Sequence, residues 1–546
     1  MSSVTGPTAA EMIYTHAGGD GAALRFEDEE WSWPALAAAA AARAALLDGR
    51  PHIGVLLDNV PEFLFWLAAA AVSRSVIVGI NPTRRGGELE RDIRSTDCAW
   101  IVTDREHATL LDGLDTGVGP SRLLVVDDPA YAALLEGVSG APLPPLDAEP
   151  DDLYVLFFTS GTTGTPKAVR CSQGRLMRAG TVLAERFDLS GGVYQAMPMF
   201  HSNALLAGIS PAWARGVPCV LRRRFSASGW LPDVRRYGTT YFNYVGKPLA
   251  YILATPEAPD DADNPVRVAF GNEANPWDIE AFGRRFGCTV VDGYGSSEGG
   301  ASISRTPETP VHALGKVNDD TRILDPETGA ECPPAAFDAD GRLLNAAAAI
   351  GEIATRSGTR LFEGYYRNAE ADAERVHDGW YWTGDLAYRD EQGFVYFAGR
   401  GHDWARVDGE NFATAPIEGI IARHPDVMLV AAYAVPDPRV GDQVMVSVQL
   451  RPGAADIPSI DAFVRAQPDL GTKWAPRFWR PVEAMPMTAT AKVQKRLLRA
   501  QRWETSDPVW WRPAPDAALV PMTAADREAV RAEFAAHGRL SVLDLV

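Results

Sequence analysis

Ten consecutive residues, Phe158-Thr159-Ser160-Gly161-Thr162-Thr163-Gly164-Thr165-Pro166-Lys167, bring together five hydroxyls, two glycines and a lysine. Glycine lets backbone N–H groups come close to an anion, hydroxyls donate further hydrogen bonds, and lysine adds positive charge. Such a segment suits the oxygens of a polyphosphate. Its spacing is not that of the Gly-x-x-x-x-Gly-Lys-Ser/Thr loop, because Pro166 precedes the lysine and Ala168 follows it. By composition alone the segment also reads as an ordinary Ser/Thr/Gly turn.

Further along the chain, other short segments carry groups of complementary chemistry. Pro198-Met199-Phe200-His201-Ser202-Asn203 offers an imidazole, and Gly271-Asn272-Glu273-Ala274 is small and polar. Asp292-Gly293-Tyr294-Gly295-Ser296-Ser297-Glu298-Gly299 holds an aromatic ring, two adjacent serine hydroxyls and the carboxylates of Asp292 and Glu298. A hard cation prefers oxygen ligands and often takes only one or two from protein, which a lone Glu298 can supply. Trp382-Thr383-Gly384-Asp385 presents a further carboxylate, acceptor-only when ionised and so suited to a pair of hydroxyls. In Pro486-Met487-Thr488-Ala489-Thr490-Ala491-Lys492-Val493-Gln494-Lys495 the lysines are mobile point charges on flexible stems.

In this order the segments resemble the motifs of the adenylate-forming enzymes, the superfamily of acyl-CoA synthetases, luciferases and peptide-synthetase adenylation domains. The resemblance covers residues 53–540. It implies ATP binding by Thr159, Ser160, Gly161, Thr162, Thr163, Gly164 and Lys167, by Gly271, Asn272, Glu273 and Ala274 along the adenine, and by Tyr294, Gly295 and Ser297. It implies that Glu298 ligates Mg2+, that Asp385 and Arg400 hold the ribose, and that His201 sits at the acyl pocket. It further implies that Lys492 drives adenylate formation, with Lys495 the second candidate, that His402 or Asp403 is the hinge, and that Gly409 lines the CoA channel. Within the superfamily, Arg224-Phe225-Ser226-Ala227-Ser228, Tyr244-Val245-Gly246-Lys247, Asp408-Gly409-Glu410-Asn411 and Asp507-Pro508-Val509-Trp510-Trp511 are similar to the fatty-acid-transport-protein and very-long-chain acyl-CoA synthetase branch, with its actinobacterial fatty-acid and steroid side-chain ligases.

These groups need rigid elements to hold them. The apolar run Tyr154-Val155-Leu156-Phe157-Phe158 reads as a buried strand delivering the first loop. Ile53-Gly54-Val55-Leu56-Leu57, residues 76–80 and Trp100-Ile101-Val102 read as strands, with a helix opening at Pro61. Strands separated by helices predict an α/β fold with layered sheets. The alanine-rich run 35–47 predicts a surface-packed helix. Met428 and Gln443 open two further strand-like runs, and Thr523-Ala524-Ala525-Asp526 predicts a capping box opening a last helix. The expected division is a large N-terminal AMP-binding domain over 1–400, a small mobile C-terminal α/β domain over 401–504 and an extension over 505–546.

At 546 residues with 46% apolar content, the chain supports substantial cores and is not disordered. A net charge of −19 argues against a nucleic-acid partner; Arg222-Arg223-Arg224 reads as a solvated turn. The five scattered cysteines form no zinc pattern or disulfide framework and fit a cytoplasmic protein. Residues 63–80, broken by Ser73, Arg74 and Ser75, fall short of the ~20 apolar residues of a membrane span, so no transmembrane anchor is expected. Peripheral membrane contact and a homodimer stay open. The resulting expectation is an acid–thiol ligase joining a long-chain or bulky apolar carboxylic acid to CoA, with ATP and Mg2+. An acyl-AMP ligase serving a carrier protein, a lipid-uptake protein and a luciferase-like oxygenase are the alternatives.

Overall fold

Apolar runs bounded by glycine and proline become strands, and the amphipathic segments between them become the helices that cover the sheets. The computed structural model describes residues 6–159, 166–274, 276–306, 308–310, 313–338, 343–400, 404–407, 410–439, 441–471, 473–488, 492–514 and 517–544. The chain divides into two compact units, one of Met1–Ala274, Asp278–Gly299 and Arg360–Glu374, the other of Asn275–Trp277, Gly300–Thr359 and Arg375–Val546.

Two sheets organise the first unit. One runs Leu123–Val125, Cys98–Thr103, His52–Leu56, Val76–Gly79, Leu153–Thr159, Lys167–Ser172. It is parallel until the last pair, where Thr159 faces Lys167 in an antiparallel hairpin. The other runs Thr289–Gly295, Val268–Asn272, Tyr241–Val245, Val193–Gln195, Cys219–Leu221, Ala22–Phe26 and the antiparallel Glu29–Ser32. The strands expected at Ile53, residues 76–80 and Trp100 are all present. The helix expected at Pro61 spans Pro61–Ser73, every residue from Phe63 to Val72 is buried, and Arg74 ends it in the left-handed conformation.

The alanine-rich helix differs from expectation. It starts earlier, at Trp33–Ala44, because Ser32 caps it and Pro34 occupies its first turn. One face of it is buried, with Leu36, Ala37, Ala40, Ala41 and Ala44 packed toward Pro61–Ser73, while Pro34 and Ala38 stay exposed. Alanine has no polar atom to keep wet, so a run of it covers a neighbouring apolar helix at close range. Arg43, itself buried, closes this contact onto Glu62, with Nε donating to Oε2 at 3.0 Å. The arginine cluster is a surface turn, as expected, tied to Asp233 through Arg222 and to Asp58 through Arg224.

In the second unit one antiparallel sheet runs Gly315–Lys316, Phe394–Arg400, Trp380–Arg389, Gly351–Thr355, Thr321–Leu324. Another runs Val427–Pro436, Asp442–Leu450, Phe478–Pro481, Trp510–Trp511, Val520–Pro521. The strands expected near Met428 and Gln443 are the long hairpin at one end of it. Its core joins Ile417, Ile420, Val446, Val464 and Trp479. The last helix, Ala524–Ala536, opens with the expected capping box between Thr523 and Asp526. Among the described residues no helix is long and apolar enough to cross a membrane.

Candidate functional site

The hairpin register, Thr159 opposite Lys167 and Phe158 opposite Ala168, fixes both ends of the first loop. Ser160, Gly161, Thr162, Thr163 and Gly164 lie outside the described residues. Lys167, at the hairpin end, is largely buried and pairs through Nζ with Glu374 Oε2 at 3.0 Å. The same ammonium stands 5.4 Å from the centre of the Tyr365 ring, a cation–π contact. Tyr365 reaches this position because the chain there bridges the strand Lys167–Ser172, Val169 opposite Tyr365, with Tyr366 N–H donating to Ala168 O at 2.8 Å.

Tyr365 also links two sequence motifs in space. Its hydroxyl donates to Glu298 Oε1 at 3.1 Å, so one side chain touches both the loop lysine and the predicted metal ligand. The turn carrying Glu298 is held from beneath by Arg175, which is buried and donates to Arg170 O at 2.6 Å and to Ser297 O at 2.5 Å. Ser297 Oγ lies 2.7 Å from Ser202 Oγ, which brings the His201 segment to the same place. Asn59 fixes that segment by donating to Met197 O and accepting from Met199 N–H, both at 2.9 Å. Gly79 makes room for it, since a Cβ there would meet Phe200 O at 2.6 Å. His201 is half-buried in the turn closed by its N–H on Pro198 O, just before a π-helix over Ala204–Ile209. Single π turns are frequent at functional sites.

The Gly271-Asn272-Glu273-Ala274 segment ends the strand Val268–Asn272 and lies beside the Tyr294 segment. Asn272 Nδ2 donates to Gly293 O at 2.6 Å, and Asp292 Oδ2 accepts from Ala274 N–H at 3.0 Å and from the Tyr244 hydroxyl at 2.9 Å. Glu273 holds a left-handed φ of 65° at this turn. The first unit therefore gathers Lys167, His201, the 271–274 segment, Tyr294, Gly295, Ser297 and Glu298 around its strand ends.

The second unit carries the rest. Asp385 is buried on Trp380–Arg389 and is the cross-strand partner of Arg400. Two groups expected to meet the same ribose thus stand on neighbouring strands. The Arg400 side chain, His402, Asp403 and Gly409 lie outside the described residues. Lys492 is half-buried on a tight loop, its N–H donating to Thr488 Oγ1 at 3.1 Å and its carbonyl accepting from Thr488 N–H at 2.7 Å. Lys495, by contrast, is held by Glu418 at 2.9 Å, a structural pairing inside its own unit.

Arg175, Tyr365 and Glu374 were not found by sequence reasoning, because no local pattern marks them. Tyr365 and Glu298 are separated by 67 residues, Lys167 and Glu374 by 207. The cysteines are free; burial pushes the thiols of Cys98, Cys171 and Cys288 up to about 12, so they are protonated and unreactive near neutrality.

Comparison with known proteins agrees with this layout. Residues 14–366 match the family described as AMP-binding enzyme, and residues 416–492 match the AMP-binding enzyme C-terminal domain. The chain is 48% identical to the steroid-22-oyl-CoA synthetase of Rhodococcus jostii (strain RHA1), over 97% of its own length and 98% of that protein. It is 47% identical to the medium/long-chain-fatty-acid–CoA ligase FadD17 of Mycobacterium marinum, over 92% and 98% of the two chains. The crystal structure of the anthranilate CoA ligase AuaEII in complex with anthranoyl-AMP shares the fold, with a TM-score of 0.76 at 20% identity over 90% of this chain and 97% of that one. The strand-end cluster around Lys167 and Glu298 and the Asp385–Arg400 pair are thus set in a chain that belongs to the AMP-binding enzyme family.

Proposed function

We propose that the protein is an ATP-dependent acyl-CoA ligase acting on a long-chain or bulky apolar carboxylic acid, a fatty acid or a steroid side-chain acid. The observation that carries the reading is the contact chain Lys167–Tyr365–Glu298, which joins a cation from one sheet to a carboxylate just beyond a strand of the other. The names of relatives at 48% and 47% identity supply the acid classes.

In the first step a substrate carboxylate oxygen attacks the α-phosphorus of ATP and pyrophosphate leaves, giving the acyl-adenylate. The protein's part is to position the reactants and to neutralise charge on phosphoryl oxygens. Lys167 exchanges Glu374 for phosphate oxygens, Asp385 accepts from the ribose hydroxyls and Lys492 approaches the α-phosphate. In the second step the CoA thiol sulfur attacks the acyl carbonyl, its proton is lost and AMP leaves. Residues 401–504 turn about His402 or Asp403 between the steps, exchanging Lys492 for the Gly409 loop.

Mg2+ suits this set of residues. Among the described residues no cluster of three acidic, histidine or cysteine side chains could cage a metal. A magnesium ion arriving on nucleotide phosphates needs only one or two protein oxygens. Glu298 would hold it, and the ion would supply charge neutralisation on the leaving pyrophosphate.

The test is pyrophosphate release across short-chain, long-chain and steroid carboxylates, each with and without CoA. Release that requires an apolar acid, with acyl-CoA formed only when CoA is present, is the expected outcome. Turnover with short acids alone, or an adenylate that never passes to CoA, would refute the proposal.

A further inference from the structure

The half-buried carboxyl group of Glu352 has no part in the steps above, although it lies close to Asp385. Its strand, Gly351–Thr355, pairs with Trp380–Arg389 so that Glu352 faces Leu386 while Ala354 faces Trp382. Three residues, Thr383, Gly384 and Asp385, therefore stand opposite Ile353 alone. A bulge of this kind frees backbone groups from the ladder, and each must find another partner.

Side chains supply those partners. Thr383 Oγ1 donates to Ile353 O at 2.9 Å and accepts from Asp385 N–H at 3.1 Å. The Gly384 N–H goes to Glu352 Oε1. Gly384 has a left-handed φ of 76°, and a Cβ on it would meet Arg375 Nη1 at 2.5 Å. Arg375 also donates to Trp382 O at 3.4 Å, so carboxylate and guanidinium grip the turn at Gly384. Burial raises the Glu352 carboxyl above its ordinary range, while the Gly384 N–H and the Arg375 charge oppose that rise.

We propose that Glu352 is a positioning residue for nucleotide binding: by holding Gly384 N–H it fixes the bulge that aims the Asp385 carboxylate at the ribose hydroxyls. The inference rests on the reading in which Asp385 receives those hydroxyls. Without the Glu352 oxygen, Gly384 N–H has no acceptor in the ladder, and the turn loses the carboxylate that holds it. Asp385 keeps its chemistry but samples other directions.

The test uses the full-length protein and titration calorimetry with AMP and with 2′,3′-dideoxy-AMP, neither of which needs the acid. The parent should prefer AMP, and Asp385→Ala should abolish that preference. Glu352→Ala should weaken AMP about tenfold, the scale of one charge-assisted hydrogen bond, and leave the dideoxy analogue within about twofold. Glu352→Gln keeps an oxygen for Gly384 N–H and should stay within about threefold of the parent for AMP. Equal loss of both nucleotides in Glu352→Ala means a general structural role and overturns the inference. So does an unchanged preference while Asp385→Ala loses it. A parent that does not distinguish the nucleotides removes the Asp385 reading itself, and the inference with it.

Discussion

Gly271 shows how one missing side chain shapes the site. A Cβ on it would lie 2.3 Å from Tyr244 O and 2.6 Å from the Tyr244 ring, and Tyr244 is fully buried with its hydroxyl on Asp292. Gly271→Ala must push this tyrosine and so disturb Asp292, which also holds the Ala274 N–H. Overpacking of this kind costs about 1–3 kcal/mol. The expected result is a lower melting temperature together with a several-fold rise in KM for ATP; an unchanged KM would detach the 271–274 segment from the nucleotide. The motif residues themselves were legible in the sequence, since Lys167, Glu298, Asp385 and Lys492 sit in short segments of distinctive chemistry. What joins them was not legible. Tyr365, Arg175 and Glu352 act on groups remote in the chain, and only the fold decides that these meet.

At the scale of elements, the strand–helix alternation of the first third was readable because buried parallel strands are continuous apolar runs. Which face of Trp33–Ala44 is buried was not, because alanine is equally at home in water and in a helix–helix contact. The two-residue strand Trp510–Trp511 was visible only as a tryptophan pair; its pairing with Phe478–Pro481 depends on partners far upstream. Just after it, Arg512 is buried against Asp461, whose other oxygen accepts from Trp479 Nε1 at 2.9 Å. Removing one member of a buried ion pair strands the other and costs about 3–5 kcal/mol. Arg512→Met should therefore markedly lower the thermal transition followed by tryptophan fluorescence. Adding Asp461→Asn, which removes a charge then left to the more distant Arg465 at 3.6 Å and keeps an acceptor for Trp479, should recover most of the loss. A parent-like single variant would mean that the pair contributes nothing to stability.

For the molecule as a whole, the proposed nucleotide contacts are divided between two compact units, with Lys167 and Glu298 in one and Asp385 and Lys492 in the other. Lys492→Ala should abolish acyl-adenylate formation by ~10²-fold or more while sparing thioester formation from supplied acyl-adenylate. Half-reactions measured separately decide this, and equal damage to both would contradict the proposed exchange of Lys492 for the Gly409 loop. The sheet that ends at Trp510–Trp511 and Val520–Pro521 also sets a timetable for synthesis. At about 5–20 residues per second, a ribosome that has released Phe478–Pro481 needs a few more seconds to deliver the strand that covers its edge. Until then the edge beside Trp479 offers unpaired backbone to any other chain, the usual start of aggregation. Chains whose translation stops after Lys492 would hold Lys167, Glu298, Asp385 and Lys492 and still leave that edge open. The strand Trp510–Trp511 thus closes the Phe478–Pro481 edge only after those side chains are already on the chain.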